Sequence, residues 1–159
     1  MIKTNNLSLR PLELDDANDM HHYLTQENVC RLAGLAPIKT KEQSVEFIKM
    51  LLKQKAWVIQ KDEHVIGNIV VFLNPSDEFK GEIGFMLNED HWHHGYMQEA
   101  LSALLQSDGL YFKELLAAVY PENIASIKTL EKVGFEFETM LPASILDPKI
   151  KAIYKLERS

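Results

Sequence analysis

Segments with a two-residue hydrophobic period alternate along the chain with segments that have a helical period, which predicts a domain that mixes strands and helices. The clearest helical period follows Gly95, so a helix is predicted to begin there. Its buried face would hold Met97, Ala100, Leu101, Leu104 and Leu105. Seven strands are predicted from short apolar or alternating runs, at residues 7–11, 56–60, 65–73, 82–87, 115–119, 135–140 and 150–156.

Two helices are predicted in the first third of the chain. Residues 40–43 have the form of a capping box, in which a threonine and a glutamine satisfy each other's backbone N–H groups. Asp15 or Asp16 is expected to cap the earlier helix, with His21 and His22 on its solvated side. The apolar faces would hold Leu14, Ala17, Met20 and Leu24 in the earlier helix, and Val45, Ile48 and Leu52 in the later one. Between the helices, residues 27–39 have mixed polarity and predict a loop or a broken helix.

A last helix is predicted to begin after Asn123, its natural N-cap, and to end at Gly134, which suits the left-handed residue after a helix. The apolar positions of this helix are Ile124, Ile127, Leu130 and Val133. Polar turns are expected at residues 61–64 and 74–77, and Gly67 suggests a close approach between neighbouring segments.

Length and composition narrow the class of protein. A chain of 159 residues that is 46% hydrophobic fits one domain spanning residues 1–159. The formal charge of -6 disfavours a nucleic-acid-binding face, and the single cysteine excludes an internal disulfide. No segment resembles a signal peptide or reaches the ~20 apolar residues needed to cross a bilayer, so we expect a cytoplasmic protein, either a monomer or a homodimer.

The junction before the Gly95 helix is a candidate phosphate site. A helix N-terminus presents unpaired N–H groups and the positive end of a dipole, and the backbone of residues 93–97 would supply these donors. Gly95 would let a ligand approach the main chain. An ordinary strand–turn–helix junction has the same pattern.

Three histidines lie in the same turn, at His91, His93 and His94. So closely spaced in a turn, they cannot easily converge on one metal ion, and no Cys/His spacing completes a zinc motif. We therefore predict no metal. The histidines are expected to line a pocket or to contact an anionic ligand.

Glu82 and Ser126 are the candidates for chemistry. A carboxylate on an interior strand face would suit a general base that removes a proton from an ammonium group, whereas an exposed face would give Glu82 no special role. The pattern leaves both possibilities open. Ser126 lies one turn into the last helix, where its hydroxyl could meet a ligand or simply belong to the helix start.

These motifs together resemble the GNAT superfamily of acetyl-CoA-dependent N-acetyltransferases, most closely the ribosomal-protein N-terminal-alanine acetyltransferase-like branch. The matching stretches are Glu82-Ile-Gly-Phe85, Trp92-x-x-Gly95-Tyr-Met-x-Glu99-Ala100 and Asn123-x-x-Ser126-x-Lys128-x-Leu130-Glu-Lys-x-Gly134-Phe135. The resemblance covers nearly the whole chain. It implies an α/β fold with a mixed, V-splayed sheet of about seven strands and helices on both faces.

The resemblance also implies acetyl-CoA as cosubstrate, bound in the splay. The pantetheine would lie along residues 85–87, and the pyrophosphate would meet the amides of residues 93–97. The expected cofactor-binding residues are Phe85, Met86, Leu87, Trp92, His93, His94, Gly95, Tyr96, Met97 and Asn123.

The activity implied is direct attack of a primary amine, for example a protein N-terminus, on the thioester. Glu82 would be the base, a backbone N–H near Leu87 would stabilise the oxyanion, and Ser126 would protonate or hydrogen-bond the departing thiolate. Many relatives have a tyrosine acid where this chain has Leu130. That departure supports one alternative, a non-catalytic acyl-CoA-binding or sensing protein. An unrelated α/β nucleotide-binding module is a second alternative.

Overall fold

One eight-stranded mixed sheet runs through the computed structural model, which describes residues 1–158. Its strands are β1 (Ile2–Lys3), β2 (Ser8–Pro11), β3 (Lys55–Lys61), β4 (His64–Asn74), β5 (Asp77–Leu87), β6 (Glu114–Val119), β7 (Glu136–Leu141) and β8 (Lys151–Glu157). The helices are α1 (Ala17–Leu24), α2 (Glu27–Ala33), α3 (Lys41–Leu51), α4 (Tyr96–Gln106) and α5 (Ile124–Lys132). Short 3-10 turns cover Leu14–Asp16 and Glu89–His91. No helix within residues 1–158 has the length and apolar character needed to span a membrane.

The strands lie in the order β1-β2-β3-β4-β5-β6-β8-β7, and the contact between β5 and β6 is parallel whereas the others are antiparallel. This parallel contact has three residue pairs, of which Glu82 with Leu116 is the last. Both strands continue beyond that pair, to Leu87 and Val119, without pairing to each other. The sheet therefore opens into a V above Glu82, as the family resemblance predicted.

Helices cover both faces of the sheet. On one face α4 and α5 pack against the strands through a cluster that includes Leu101, Leu104 and Leu130. On the other face α1 and α3 bury Met20 and Ile48 in a second cluster. Each large apolar side chain removed from water contributes about 1.5–3 kcal/mol to folding, so the two clusters hold the helices on the sheet.

The helical predictions were most accurate where the apolar period was strongest. All five residues predicted for the buried face of α4 are buried. The capping box of α3 is present, with the Gln43 N–H donating to Thr40 Oγ1 at 3.1 Å and the Thr40 N–H donating to Gln43 Oε1 at 3.1 Å. At the end of α5, Gly134 has φ 105°, as expected for the residue after a helix.

Several predictions about the first helix were wrong. Asp16 occupies the N-cap position but does not cap, because its carboxylate binds Arg10 at 2.6 Å and accepts the Glu13 N–H. Leu14 lies in the preceding 3-10 turn and is exposed. His21 is not simply solvated, since its Nδ1 lies 2.7 Å from the hydroxyl of buried Ser44 on α3.

Other differences arise at element ends. Leu52 and Ile124, both predicted to be buried, are exposed because each lies at a helix terminus where the apolar face no longer meets the sheet. β1 was not predicted, β5 begins at Asp77 rather than Glu82, and residues 27–33 form α2, which ends at Gly34 with φ 73°.

Candidate functional site

The V between the free ends of β5 and β6 contains two adjoining cavities. The first, the Glu82 cavity, has a volume of about 290 Å³ and lies between the sheet and the end of α3. The second, the Gly95 cavity, has a volume of about 260 Å³ and lies against the start of α4. The wall that the two cavities share is made of Leu32, Ala33, Phe85, Met86, Asn123 and Ser126. The cavities therefore form one cleft with two compartments.

The turn from β5 to α4 shapes the Gly95 cavity. Trp92 Nε1 donates to the Leu87 carbonyl at 2.8 Å and so fixes the turn against the end of β5. His93 and Gly95 both have left-handed backbones, with φ 68° and φ 74°. A Cβ added to Gly95 would meet no atom within 4 Å, so glycine suits the backbone conformation there rather than a crowded site.

This turn leaves a row of backbone N–H donors free. Within residues 1–158, the backbone N–H groups of residues 93–98 have no protein acceptor, whereas the Glu99 N–H makes the first helical hydrogen bond, to the Gly95 carbonyl. Of these residues, all but His94 line the Gly95 cavity, which lies at the positive end of the α4 dipole. The arrangement can bind a phosphate or diphosphate.

Imidazoles and a lysine surround the ring of Tyr96 at the same helix start. The ring centroids of His91 and His94 lie 6.3 Å and 5.2 Å from that of Tyr96, and Lys61 Nζ lies 5.9 Å from it. Burial and the nearby Lys61 charge lower the pKa of His91. Within the described chain these histidines do not belong to any group of three or more potential metal ligands.

Glu82 lies at the base of the V, in the last pair that joins β5 to β6. Its residue is exposed, and it lines the cavity named after it. The other carboxylate of this cavity, Asp147, is held 2.9 Å from Lys151 Nζ, but Glu82 has no ion-pair partner within residues 1–158. The Asp147 hydrogen bond raises the pKa of Lys151 against the opposing effect of burial, and the charge of Glu82 adds a smaller contribution.

Ser126 and Asn123 lie where the two compartments meet. Asn123 Oδ1 accepts the Ser126 N–H at 3.3 Å, which confirms the predicted N-cap of α5. Leu130, one turn further along α5, is buried in the wall of the Glu82 cavity. The structure thus brings Glu82 and Ser126 to one cleft and places the residues predicted to bind the cofactor along its walls, except His94, which lines neither cavity.

Sequence reasoning missed several residues of the cleft. Tyr120 lines the Glu82 cavity, and the ammonium groups of Lys149 and Lys151 lie 4.8 Å and 5.9 Å from its ring centroid. Asn68 on β4 is buried there and accepts the Tyr23 hydroxyl at 2.6 Å. The position of Tyr120 directly after the predicted strand at residues 115–119 was a usable signal, because ligands in open α/β sheets gather at the carboxyl ends of strands.

Comparison with known proteins identifies the family of this chain. Residues 6–136 match the family model described as an acetyltransferase (GNAT) domain. The uncharacterized N-acetyltransferase YnaD of Bacillus subtilis is 30% identical over 145 residues, covering 86% of this chain and 83% of the relative.

Two solved structures share the fold. The microcin C7 self-immunity acetyltransferase MccE, solved with acetyl-CoA and AMP, has a TM-score of 0.83 at 20% identity and covers 98% of this chain and 94% of its own. The ribosomal-protein-S5-alanine acetyltransferase from Vibrio fischeri has a TM-score of 0.79 at 15% identity, covering 98% of this chain and 94% of its own. The predicted fold class is therefore confirmed, with eight strands in place of about seven.

Proposed function

The chain belongs to the GNAT family of acetyltransferases, and from this premise we propose that it transfers an acetyl group from acetyl-CoA to a primary amine by direct attack of the amine on the thioester. The observation that carries the proposal is the two-compartment cleft: free backbone donors line one compartment, and an unpaired carboxylate lies in the other. One compartment thus offers donors for a phosphate group, and the other, across a shared wall, offers a base for an amine.

The Gly95 cavity is the proposed cofactor compartment. The amides of residues 93–97 would bind the diphosphate, and the unpaired β6-facing side of β5 at residues 85–87 would lie along the pantetheine arm. Residues bordering this compartment include Trp92, His93, Tyr96, Met97 and Asn123, while His94 stacks on Tyr96 beside it. Acetyl-CoA in the structure of the fold neighbour MccE supports this choice of cosubstrate.

The Glu82 cavity is the proposed acceptor compartment. An amine reaches neutral solution mainly as an ammonium and must lose a proton before it can attack a carbonyl carbon. Glu82 is the proposed base for that step, directly or through a water. A backbone N–H near Leu87 would stabilise the oxyanion, and Ser126, at the junction of the compartments, would hydrogen-bond or protonate the thiolate that leaves.

A second candidate is a non-catalytic acyl-CoA-binding or sensing protein on the same fold. It is favoured by buried Leu130, which places a hydrocarbon in the wall where many family members have an acidic hydroxyl. Whether the acceptor is a small amine or a protein N-terminus is a separate question, since one fold neighbour is described as a microcin C7 self-immunity acetyltransferase and another as a ribosomal-protein-S5-alanine acetyltransferase.

Thiol release distinguishes the two functions. Purified protein is incubated with acetyl-CoA and a panel of primary amines and N-terminal peptides, and free CoA is followed with a thiol reagent, while calorimetry measures CoA binding. Amine-dependent thiol release supports acetyl transfer. Tight CoA binding without release for any amine would favour the binding protein, and binding of a mononucleotide but not CoA would contradict both.

A further inference from the structure

The walls of the Glu82 cavity point to a chemical class of acceptor. Resting on the acetyl transfer proposed above, we propose that the acceptor is a monocationic primary amine with an apolar body and no carboxylate beside the amine. The inference follows from the shape of the cavity floor, from its apolar roof and from the pairing of its charges.

Two neighbouring strands form the floor of the cavity. On β4 the residues that face it are Asn68, Val70 and Phe72, and their partners on β5 are Met86, Gly84 and Glu82 in that order. Gly84 has no side chain between Glu82 and Met86, and a Cβ there would contact Val70 and Phe72 only at ordinary distances of 3.6 Å and 4.0 Å. The floor therefore has an open apolar slot beside the carboxylate.

Apolar side chains from α3 form the roof. Phe47 and Met50 line the cavity, and Met50 is 42% exposed although it is a large hydrophobic residue. Phe72 on the floor is also only partly buried. A ligand with an apolar body would remove this surface from water, which is the usual source of affinity in a concave site.

The charges of the cavity favour a single positive group. Lys151 is already paired with Asp147 at 2.9 Å, so Glu82 is the charge without a partner within the described chain. An ammonium group beside Glu82 would be stabilised by attraction to the negatively charged carboxylate. A carboxylate beside the amine would instead lie near two acidic side chains and a lysine that is already neutralised, and like charges at such distances disfavour binding.

A homologous series of alkylamines tests the apolar body. The compounds from propylamine to hexylamine carry the same single ammonium and differ in apolar length. We expect kcat/KM to rise about fourfold for each added methylene until the slot is filled, since each buried methylene is worth a nearly constant transfer free energy. Phenylethylamine should exceed L-phenylalanine in kcat/KM by at least about tenfold.

Two matched variants locate the effect. Met50 and Leu52 are equally exposed at 42% near the end of the same helix, but Met50 lines the cavity and Leu52 does not. Met50→Gln should flatten the chain-length dependence while CoA binding is unchanged, and Leu52→Gln should leave the dependence as in the wild type.

Three results would overturn the inference. They are a flat alkylamine series, faster turnover of spermidine or of a peptide with N-terminal alanine than of hexylamine, and the same chain-length dependence in Met50→Gln as in the wild type. Lack of thiol release with every amine is a different failure, because it would contradict the proposed acetyl transfer itself.

Discussion

At the scale of single residues, the surroundings of Glu82 depend on where the neighbouring strand β6 stops pairing with β5. Alternation along β5 placed this carboxylate on one face but could not say whether that face was covered. The structure shows that β6 leaves β5 directly after the pair of Glu82 with Leu116, so the side chain borders a cleft. The residue is exposed and yet lines the cleft, so its role as a base stays a prediction.

Glu82→Gln should slow acetylation most at low pH. Without a base, the reaction depends on the free-amine fraction in solution, which grows about tenfold per pH unit below the amine pKa. The rate ratio of wild type to variant should therefore shrink as pH rises. A pH profile of kcat/KM measures this ratio, and a variant that matches the wild type at every pH would exclude Glu82 as the base.

Ser126→Ala should lower kcat more than it weakens CoA binding, because the proposed contact of the hydroxyl is with the departing thiolate. The backbone N–H of residue 126, which binds Asn123, is retained in this variant. Steady-state kinetics combined with calorimetry separates the two quantities. A larger loss of affinity than of turnover would make Ser126 a binding residue.

His91 should couple cofactor binding to proton uptake. Its pKa is lowered by burial and then by Lys61, with Asp90 and Asp62 opposing and His94 assisting. A bound diphosphate brings negative charge near the ring and raises this pKa, so the protein takes up a proton and CoA affinity increases as pH falls.

Calorimetry in buffers of different ionisation enthalpy counts the protons taken up. His91→Asn should reduce the number, whereas His64→Asn, at an exposed histidine of the β3–β4 turn paired with Asp19, should not. Equal proton uptake by wild type and His91→Asn would contradict the assignment.

At the scale of elements, glycine is needed at Gly67 in β4 and at Gly95 before α4 for different physical reasons. A Cβ at Gly67 would lie 2.6 Å from the Met86 carbonyl oxygen, so the close approach of β4 and β5 requires glycine. Gly95 faces open space and needs glycine for its φ of 74°. Sequence analysis anticipated both positions, but it could not separate crowding from conformation.

Gly67→Ala should destabilise the fold by about 2–3 kcal/mol, because backbone must shift to relieve the clash. Gly95→Ala should lower the unfolding free energy by about 1 kcal/mol, because alanine disfavours the left-handed backbone conformation. The added methyl group would also enter the proposed cofactor compartment and should weaken CoA binding. Denaturant unfolding and calorimetry measure these effects. Equal losses of stability in the two variants would contradict the distinction.

At the scale of the whole molecule, the motif residue Glu99 joins two distant parts of the chain. Its carboxylate accepts the Thr4 hydroxyl, the Asn6 N–H at 3.0 Å and the Asn6 side-chain amide at 2.9 Å, and so ties the β1–β2 connection to α4. Burial would raise the pKa of Glu99, but these hydrogen bonds outweigh it and the pKa is lowered. The motif therefore includes a structural contact as well as the turn that we propose binds the cofactor.

Glu99→Gln should lower the unfolding free energy by about 1 kcal/mol at neutral pH, after allowance for partial exposure. A folded-state pKa below the unfolded value gives stability that is present above the unfolded pKa, about 4.3, and is lost as pH falls through the folded pKa. The difference from wild type should thus shrink in acid. Denaturant titrations across pH test this, with exposed Glu46→Gln expected to change stability by less than about 0.5 kcal/mol.

The sequence by itself determined most of the helices and strands and indicated the family to which the chain belongs. Hydrophobic period gave the buried face of α4, and local residue chemistry gave the α3 capping box, the Asn123 cap and the left-handed glycines, because each depends on residues close along the chain. The motifs around Glu82, Gly95 and Ser126 carried the family resemblance for the same reason.

Only the tertiary structure decided how the Glu82 cavity is built. Its walls come from α2, α3, β4, β5, β6, α5 and the start of β8, and these elements meet around the cavity because β5 and β6 separate after three residue pairs. The pair of Asp147 with Lys151 is local, four residues apart along the chain, but its position in the same cavity as Glu82 depends on how β8 lies beside β6. No local pattern specifies such meetings, since strand separation depends on the packing of the whole sheet against its helices.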